Sequence, residues 1–388
     1  MYIKNVKVLG FLTGKNSKND TLNRFDVGGT DLGMPLYNSK TDEMFIAFGD
    51  TFNAPFGPDD ETIGFTGNWR SNVMAKVKLN DYKDGIEIVD FIKDEEGKAR
   101  VITEAHHTAP EDLIEITKIP TGLIEVNGVL YMYYFSIRVW RPVPFMNYGG
   151  CVKSVDGGKT WSRVFDLTWV DETSEEFKEQ TTKLINEELS TVPLKTEFKP
   201  VGKVDFDHHR GHYYTQSFPV DGKDGYIYLF GEGNYRKTGI KLARVLKENI
   251  EVFDEYEYMV DYDEFGKPIW VKGVEGINLQ KKNVNSFILA NPSGELTVFY
   301  NDYLKKWTLL KQSEDKTQAL MYTADNIYGP YLKGEVIIQN GDKDVPNTIL
   351  YAPLSHEKFL EEGGKIMNVI VSVWKPYYNP IVVKVEFK

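Results

Sequence analysis

Residues 27–53 read VGGTDLGMPLYNSKTDEMFIAFGDTFN. Met34, Leu36 and Tyr37 belong to one apolar segment, and Met44, Phe45, Ile46, Ala47 and Phe48 to a second. Between them Asn38-Ser39-Lys40-Thr41-Asp42 is made of turn formers, so the stretch predicts a β-hairpin. In a hairpin the start of the first strand lies beside the end of the second. Asp31 stands at that start and Asp50 at that end, which predicts two carboxylates at one edge of a sheet. Gly28, Gly29, Gly33 and Gly49 leave the backbone around both open to close approach. A single Asp beside Gly is ordinarily a turn or cap residue; two at one hairpin edge point to a site.

The same strand–turn–strand pattern returns four more times. Its second strands are Met44–Asp50, Val129–Ser136, Tyr226–Glu232, Glu295–Asn301 and Lys365–Trp374. The segments ahead of them are Asp31–Tyr37, Pro120–Val126, Thr215–Val220, Asn285–Ala290 and Thr348–Leu354, and a third strand follows each pair. The unequal spacing makes the repeat structural rather than a sequence period. Five antiparallel sheets in series predict an all-β, five-bladed β-propeller, a single domain over residues 1–388. A two-sheet sandwich is the alternative. The N-terminal Ile3–Phe11 alternates like a strand and is expected to add the outer strand of the last blade, hiding a sheet edge. Residues 162–212 read as an insertion between blades two and three, over the upper face. Within it DETSEEFKEQTTKLINEELS pairs Thr173 with Glu176 in a capping box and carries an apolar helical stripe.

This topology sorts residues by face. Starts of first strands, ends of second strands and starts of third strands share one rim, here called upper. Asp31, Asp50, Arg70, Ser71, Asn72, Arg138, Trp140, Asn147, Tyr148, Gln216, Glu232, Asn301, Asp302 and Trp374 fall there. Glu295, at the start of an expected second strand, falls below and reads as structural. Ser154–Trp161, SVDGGKTW, matches the Asp-box hairpin of propellers, a structural turn on the lower face. Five of the six histidines, His106, His107, His208, His209 and His212, precede first strands. Their spacing matches no tight metal motif, so no metal is assigned, and His209 is read as a substrate hydrogen-bonding residue.

Composition narrows the function classes. A chain of 388 residues with 41% hydrophobic content can bury a large core. Its 23 Tyr and 7 Trp suit β-structure and sugar stacking. A net charge of −11 without a basic run argues against nucleic acid, and no apolar stretch approaches the ~20 residues of a membrane span. Cys151 stands alone, so no internal disulfide forms. The N-terminus MYIKNVKVLGFLTG has no apolar core of a secretion signal, and extracellular or phage-associated action is the expectation.

The motifs GGTDLG, FGDTF, WRSN, NYGG with SVDGGKTW, GYIYLFG, LARV, GELTVFYN with YLKKW, and SVWKPYYN stand in this order from Gly28 to Asn379. In them the chain resembles the domain of unknown function 4185 family, members of which are classed as glycoside hydrolase family 183, endo-D-arabinanases that cut arabinofuranose polymers. The resemblance implies a five-bladed propeller and carries the family's acidic pair onto Asp31 and Asp50. Glu232 departs from the small polar residue found in family members, and YAPLSH matches loosely. Glycoside hydrolysis uses two carboxyl groups, one donating a proton to the leaving oxygen and one ionised as nucleophile or base. Asp31 and Asp50 are that catalytic pair. Arg70, placed close to one of them, would hold it ionised, and Asn72, Arg138, Asn147, His209, Gln216 and Glu232 would bind sugar hydroxyls. Trp140, Tyr148 and Trp374 would offer stacking faces. No cofactor is expected, the partner is a carbohydrate polymer or oligosaccharide, and the chain is expected to be a monomer. A non-catalytic carbohydrate-binding propeller, such as a phage or cell-surface adhesin, and a protein-binding propeller are the competing readings.

Overall fold

The computed structural model describes residues 2–56, 65–107, 114–190, 195–200 and 202–388. Five sheets of four or five strands follow one another as the blades of an all-β five-bladed propeller. The chain divides into two compact units. Among the described residues no helix is long and apolar enough to cross a membrane.

The first unit, Met1–Ile102, Gly157–Lys159 and Gly294–Lys388, holds blades one, four and five. Blade one is the expected hairpin, Leu32–Asn38 with Glu43–Phe48, followed by Val73–Val77 and Ile88–Phe91. Every residue of Met44–Phe48 is buried, as suits a strand covered on both faces. Blade five runs Leu350–Leu354, Ile366–Val373, Ile381–Phe387 and then the N-terminal Ile3–Phe11. The N-terminal strand pairs antiparallel with the last one, from Ile3 opposite Phe387 to Phe11 opposite Ile381, and so closes the last blade. Val383, Val385 and Phe387 of that last strand are fully buried in the core of this unit.

Blade four corrects the expected strand order. Its strands are Thr297–Asn301, Lys306–Gln312, Gln318–Ala324 and Glu335–Gln339. Thr297–Asn301 is therefore the first strand, not the second, and a short turn with Lys305 at φ 55° returns the chain so that Tyr300 pairs with Trp307. Asn285–Ala290, expected as the first strand, holds a single 3₁₀ turn and one bridge from Leu289 to Ile240. The apolar run SFILA is used to cap blade three. Asn301 consequently ends a first strand; it donates to the Gly364 carbonyl at 3.0 Å and accepts the Tyr303 amide at 2.9 Å, a turn residue at the lower end with Asp302 beside it. Glu295, expected at the lower end, instead precedes the first strand of its blade, as Asp31 does in blade one.

The second unit, Thr103–Asp156 and Thr160–Ser293, holds blades two and three. Blade two is built from Thr117–Val126, Val129–Val139 and Phe145–Ser154. Asn127-Gly128 joins the first two with both residues at positive φ, 53° and 82°, as a two-residue hairpin demands. Ser162–Arg163 and Trp169–Val170 pair with its third strand, so the first part of residues 162–212 completes the blade rather than inserting after it. Blade three has five strands, Gln216–Asp221, Tyr226–Glu232, Lys241–Leu246, Glu257–Tyr262 and Pro268–Lys272. The two blades approach so closely that a Cβ at Gly122 would meet Pro219 Cδ at 2.5 Å. Trp169 is 1% exposed and packs on Phe253, Tyr256 and Tyr133 with ring centroids 5.5–6.3 Å apart.

The insertion forms a 3₁₀ segment, Glu172–Phe177, and an α-helix, Lys178–Asn186, which buries Thr181, Leu184 and Ile185. The helix ends earlier than the sequence suggests, because Glu187–Ser190 leaves it to pair with Lys195–Pro200. The side chain of Thr173, half of the expected capping box, lies outside the described ones. A second helix, Gly273–Lys282, carries Gln280 into blade three, where its amide donates to the Leu242 and Met259 carbonyls at 2.8 Å each. At the turn after the third strand of blade two, Asp156 accepts from Ser154 Oγ at 2.8 Å, the Thr160 amide at 2.9 Å and Thr160 Oγ1 at 2.6 Å.

Candidate active site

Asp31 and Asp50 lie at one end of the blade-one hairpin, where the Gly49 amide donates to the Asp31 carbonyl at 3.1 Å. The first strand opens with a bulge. Leu32 has φ 64° and Gly33 φ 131°, and the register skips between Leu32 and Met34. A bulge re-aims the side chain beside it, here Asp31. Ser372 Oγ in blade five holds the bulge by accepting the Leu32 amide at 2.8 Å. Gly33 has no alternative, since a Cβ there would sit 2.7 Å from Ile370 Cγ2.

Each carboxylate has its own donor. Tyr351 Oη donates to Asp31 Oδ2 at 2.8 Å, and Trp69 Nε1 donates to Asp50 Oδ1 at 2.8 Å. Tyr378 faces both: burial, then the Asp31 carboxylate, the Tyr351 phenol and Asp50 all push its phenol well above its ordinary pKa, and it is hydrogen-bonded to Asp31. Tyr378 also belongs to an aromatic group with Phe52, Phe56, Phe65, Trp69 and Trp374. Phe65–Trp374 and Trp374–Tyr378 centroids are each 5.3 Å apart. Trp69 and Trp374 are only partly buried, so they present rings beside the carboxylates.

The other expected residues of this unit do different work. Arg70 is 6% exposed and donates to the Asp26 carbonyl at 2.6 Å and the Ala99 carbonyl at 3.0 Å. Burial lowers its pKa to about 10 against the opposing charges of Asp26 and Asp94. Its guanidinium thus ties two loops of blade one together instead of facing Asp31 or Asp50. Asn72 is buried and accepts the Ile102 amide at 3.1 Å.

In the second unit Arg138 donates to Gln180 Oε1 at 2.9 Å and Thr181 Oγ1 at 3.0 Å and lies over the Phe177 ring at 4.6 Å, so it fastens the inserted helix. Asn147 donates to the Ile114 carbonyl and to Ser136 Oγ, both at 2.9 Å. Tyr148 is 1% exposed, edge-on to Tyr134, with its hydroxyl on Arg163 at 3.2 Å, and no sugar can stack on it. That expectation fails because the residue faces into the blade. His209 is 6% exposed, bonded through Nδ1 to the Asp205 carbonyl at 2.9 Å and packed on Phe253 at 4.5 Å. Gln216 and Glu232 are fully buried and stand opposite each other in the strand register. Trp140 is partly buried against Tyr235, centroids 5.1 Å apart.

Sequence reasoning missed Tyr351 and Tyr378, although both stand in motifs already singled out, YAPLSH and KPYYN, and Trp69 of WRSN. It also missed a charged network in the second unit. Buried Glu115 accepts from Ser136 Oγ at 2.6 Å and pairs with His106 Nδ1 at 2.7 Å. Burial works to raise its pKa, but Lys118 and His106 outweigh that and hold it at about 2. Near Lys118, burial pushes Glu104 up to about 7. A carboxyl whose folded pKa exceeds its unfolded value of 4.5 keeps a proton that the unfolded chain has lost, so stability falls as pH rises through the window from 4.5 to about 7. Glu104→Gln is expected to melt about 2–4 °C above the parent near pH 8 and level with it near pH 4. Thermal unfolding at both pH values checks this, and coincident curves near pH 8 count against it.

The chain belongs to the family described as a domain of unknown function (DUF4185), whose model matches residues 16–384. No curated protein matches it. Among solved structures it resembles a candidate hydrolase from Bacteroides ovatus ATCC 8483, with a TM-score of 0.54 and 15% identity over 94% of this chain and 87% of that one. It also resembles Zg3597, a family 117 glycoside hydrolase of the marine bacterium Zobellia galactanivorans, with a TM-score of 0.47 and 12% identity over 99% of this chain and 90% of that one. Bacillus subtilis arabinanase Arb43A gives a TM-score of 0.40 and 12% identity over 92% and 96%. At these identities the likeness is one of fold.

Proposed function

We propose that the protein is a glycoside hydrolase acting on an arabinofuranose-type polysaccharide, D-arabinan, through the carboxyl pair Asp31 and Asp50. The observation that carries the reading is that pair: two carboxyl groups at one hairpin end, each with its own donor, both facing Tyr378. The motif resemblance to endo-D-arabinanases supports the choice of sugar. Asp31, which the phenols of Tyr351 and Tyr378 approach, is assigned as the nucleophile or the base on water. Asp50, bonded to the indole of Trp69, is then the group that carries the proton to the leaving oxygen. Trp69 and Trp374 suit the apolar faces of furanose rings.

Release of reducing ends from D-arabinan, with L-arabinan as the comparison polymer, is the test. D-arabinan is expected to be cut and L-arabinan to be cut more slowly. A chain that binds D-arabinan without releasing reducing ends is a carbohydrate-binding propeller, and the hydrolase reading then falls.

A further inference from the structure

We propose that blade three carries a sugar-binding subsite centred on His212, an inference that rests on the carbohydrate reading above. Asp171 is 1% exposed and its Oδ1 lies 3.0 Å from His212 Nδ1. A buried carboxylate at that nitrogen fixes the ring's orientation and leaves Nε2 for a ligand. The His212 side chain is 17% exposed. Its ring lies over Gly233, where a Cβ would come within 2.8 Å of His212 Nε2, so the residue after strand Tyr226–Glu232 has to be glycine for the imidazole to sit there.

Gly233 opens a loop that Thr238 closes, its Oγ1 accepting the Gly233 amide at 2.9 Å. Inside it Asn234, Tyr235 and Arg236 are consecutive non-glycine residues at φ 53°, 41° and 62°. Left-handed backbone of this kind is costly and is kept where it places a side chain. The side chain placed here is Tyr235, edge-on to Trp140 with centroids 5.1 Å apart, and both rings are partly exposed. At the same strand end Gln216 is fully buried with neither amide atom hydrogen-bonded, opposite Glu232. A fixed imidazole packed on Gly233, which stands two residues before the Tyr235 of an aromatic pair, is matched by a hydroxyl-rich ring with an apolar face. His212 binds a hydroxyl through Nε2, and Tyr235 with Trp140 covers the ring.

The test uses the full chain carrying Asp50→Asn, titrated calorimetrically with hexasaccharides of D-arabinofuranose and of L-arabinofuranose. In that background His212→Ala and Tyr235→Ala are each expected to bind the preferred probe about tenfold more weakly, with His212→Gln recovering part of the loss. Melting curves matched to the parent show that the variants are folded. Affinities within about twofold of the parent for both variants overturn the subsite, as does a parent that binds neither probe. The two readings separate cleanly. A chain that cuts no arabinan yet binds through His212 keeps the subsite and loses the hydrolase; one that cuts D-arabinan with an unchanged KM in both variants keeps the hydrolase and loses the subsite.

Discussion

Asp31→Asn and Asp50→Asn are each expected to lower turnover of D-arabinan by about 10²–10⁴-fold, and by more for whichever residue acts as nucleophile. Asparagine keeps the side-chain shape and an oxygen that can accept from Tyr351 or Trp69, so both variants should melt close to the parent. What it removes is the ability to ionise or to deliver a proton. The pairs Tyr351–Asp31 and Trp69–Asp50 are both 2.8 Å, so each substitution can be made without emptying its surroundings. Single-turnover rates of the two variants, beside their melting curves, are the measurement. Near-parental rates in both would remove this pair from the chemistry.

Gly49→Ala is expected to cost about as much as a misplaced catalytic group, roughly 10²-fold in kcat. The glycine is not needed for a left-handed turn. It is needed for room, because a Cβ at this position would sit 2.4 Å from Asp31 Oδ1 and 3.2 Å from Leu32 Cδ1. The carboxylate has to move. With the bulge at Leu32 and Gly33 held by Ser372 and Ile370, the displacement falls on the side chain rather than on the strand. The loss should appear in kcat with the melting temperature little changed. Parental kcat in the Gly49→Ala chain would mean that the position of Asp31 does not limit the reaction.

The carboxyl pair was legible because both members belong to one hairpin: the polar turn from Asn38 to Asp42 and two apolar runs place Asp31 against Gly49 without any long-range information. Tyr351 and Tyr378 reach the same site from the far end of the chain, and no local pattern links them to it. Arg70 was placed on the right strand end but given the wrong partner, since strand position fixes a residue's location and not the direction of a long side chain; Asp26 and two carbonyls of its own blade hold it. Tyr148 was misread for a related reason: its strand position is the expected one, and it faces Arg163 and Tyr134 inside the blade. The blade count followed from repeated apolar second strands. Blade four was shifted by one strand because SFILA followed by Asn-Pro-Ser-Gly looks like strand and turn, whereas the real return, through Tyr303-Leu304-Lys305, carries neither Gly nor Pro. That shift is what sent Glu295 to the wrong end. The helix Gly273–Lys282 escaped notice because glycines at 273 and 276 mask its periodicity.

The antiparallel pairing of Ile3–Phe11 with Ile381–Phe387 also sets the order of events during synthesis. Ile3–Phe11 has no partner until Ile381–Phe387 has left the ribosome. Until then Ile3, Val6, Val8 and Phe11 wait as an unpaired β-edge, the kind of segment that recruits foreign strands. Contacts of such sequence separation are also among the slowest to form. The ring is therefore a latch thrown only when Ile381–Phe387 arrives, and a nascent chain halted before residue 381 exposes Ile3–Phe11 to whatever chaperone or aggregate meets it first.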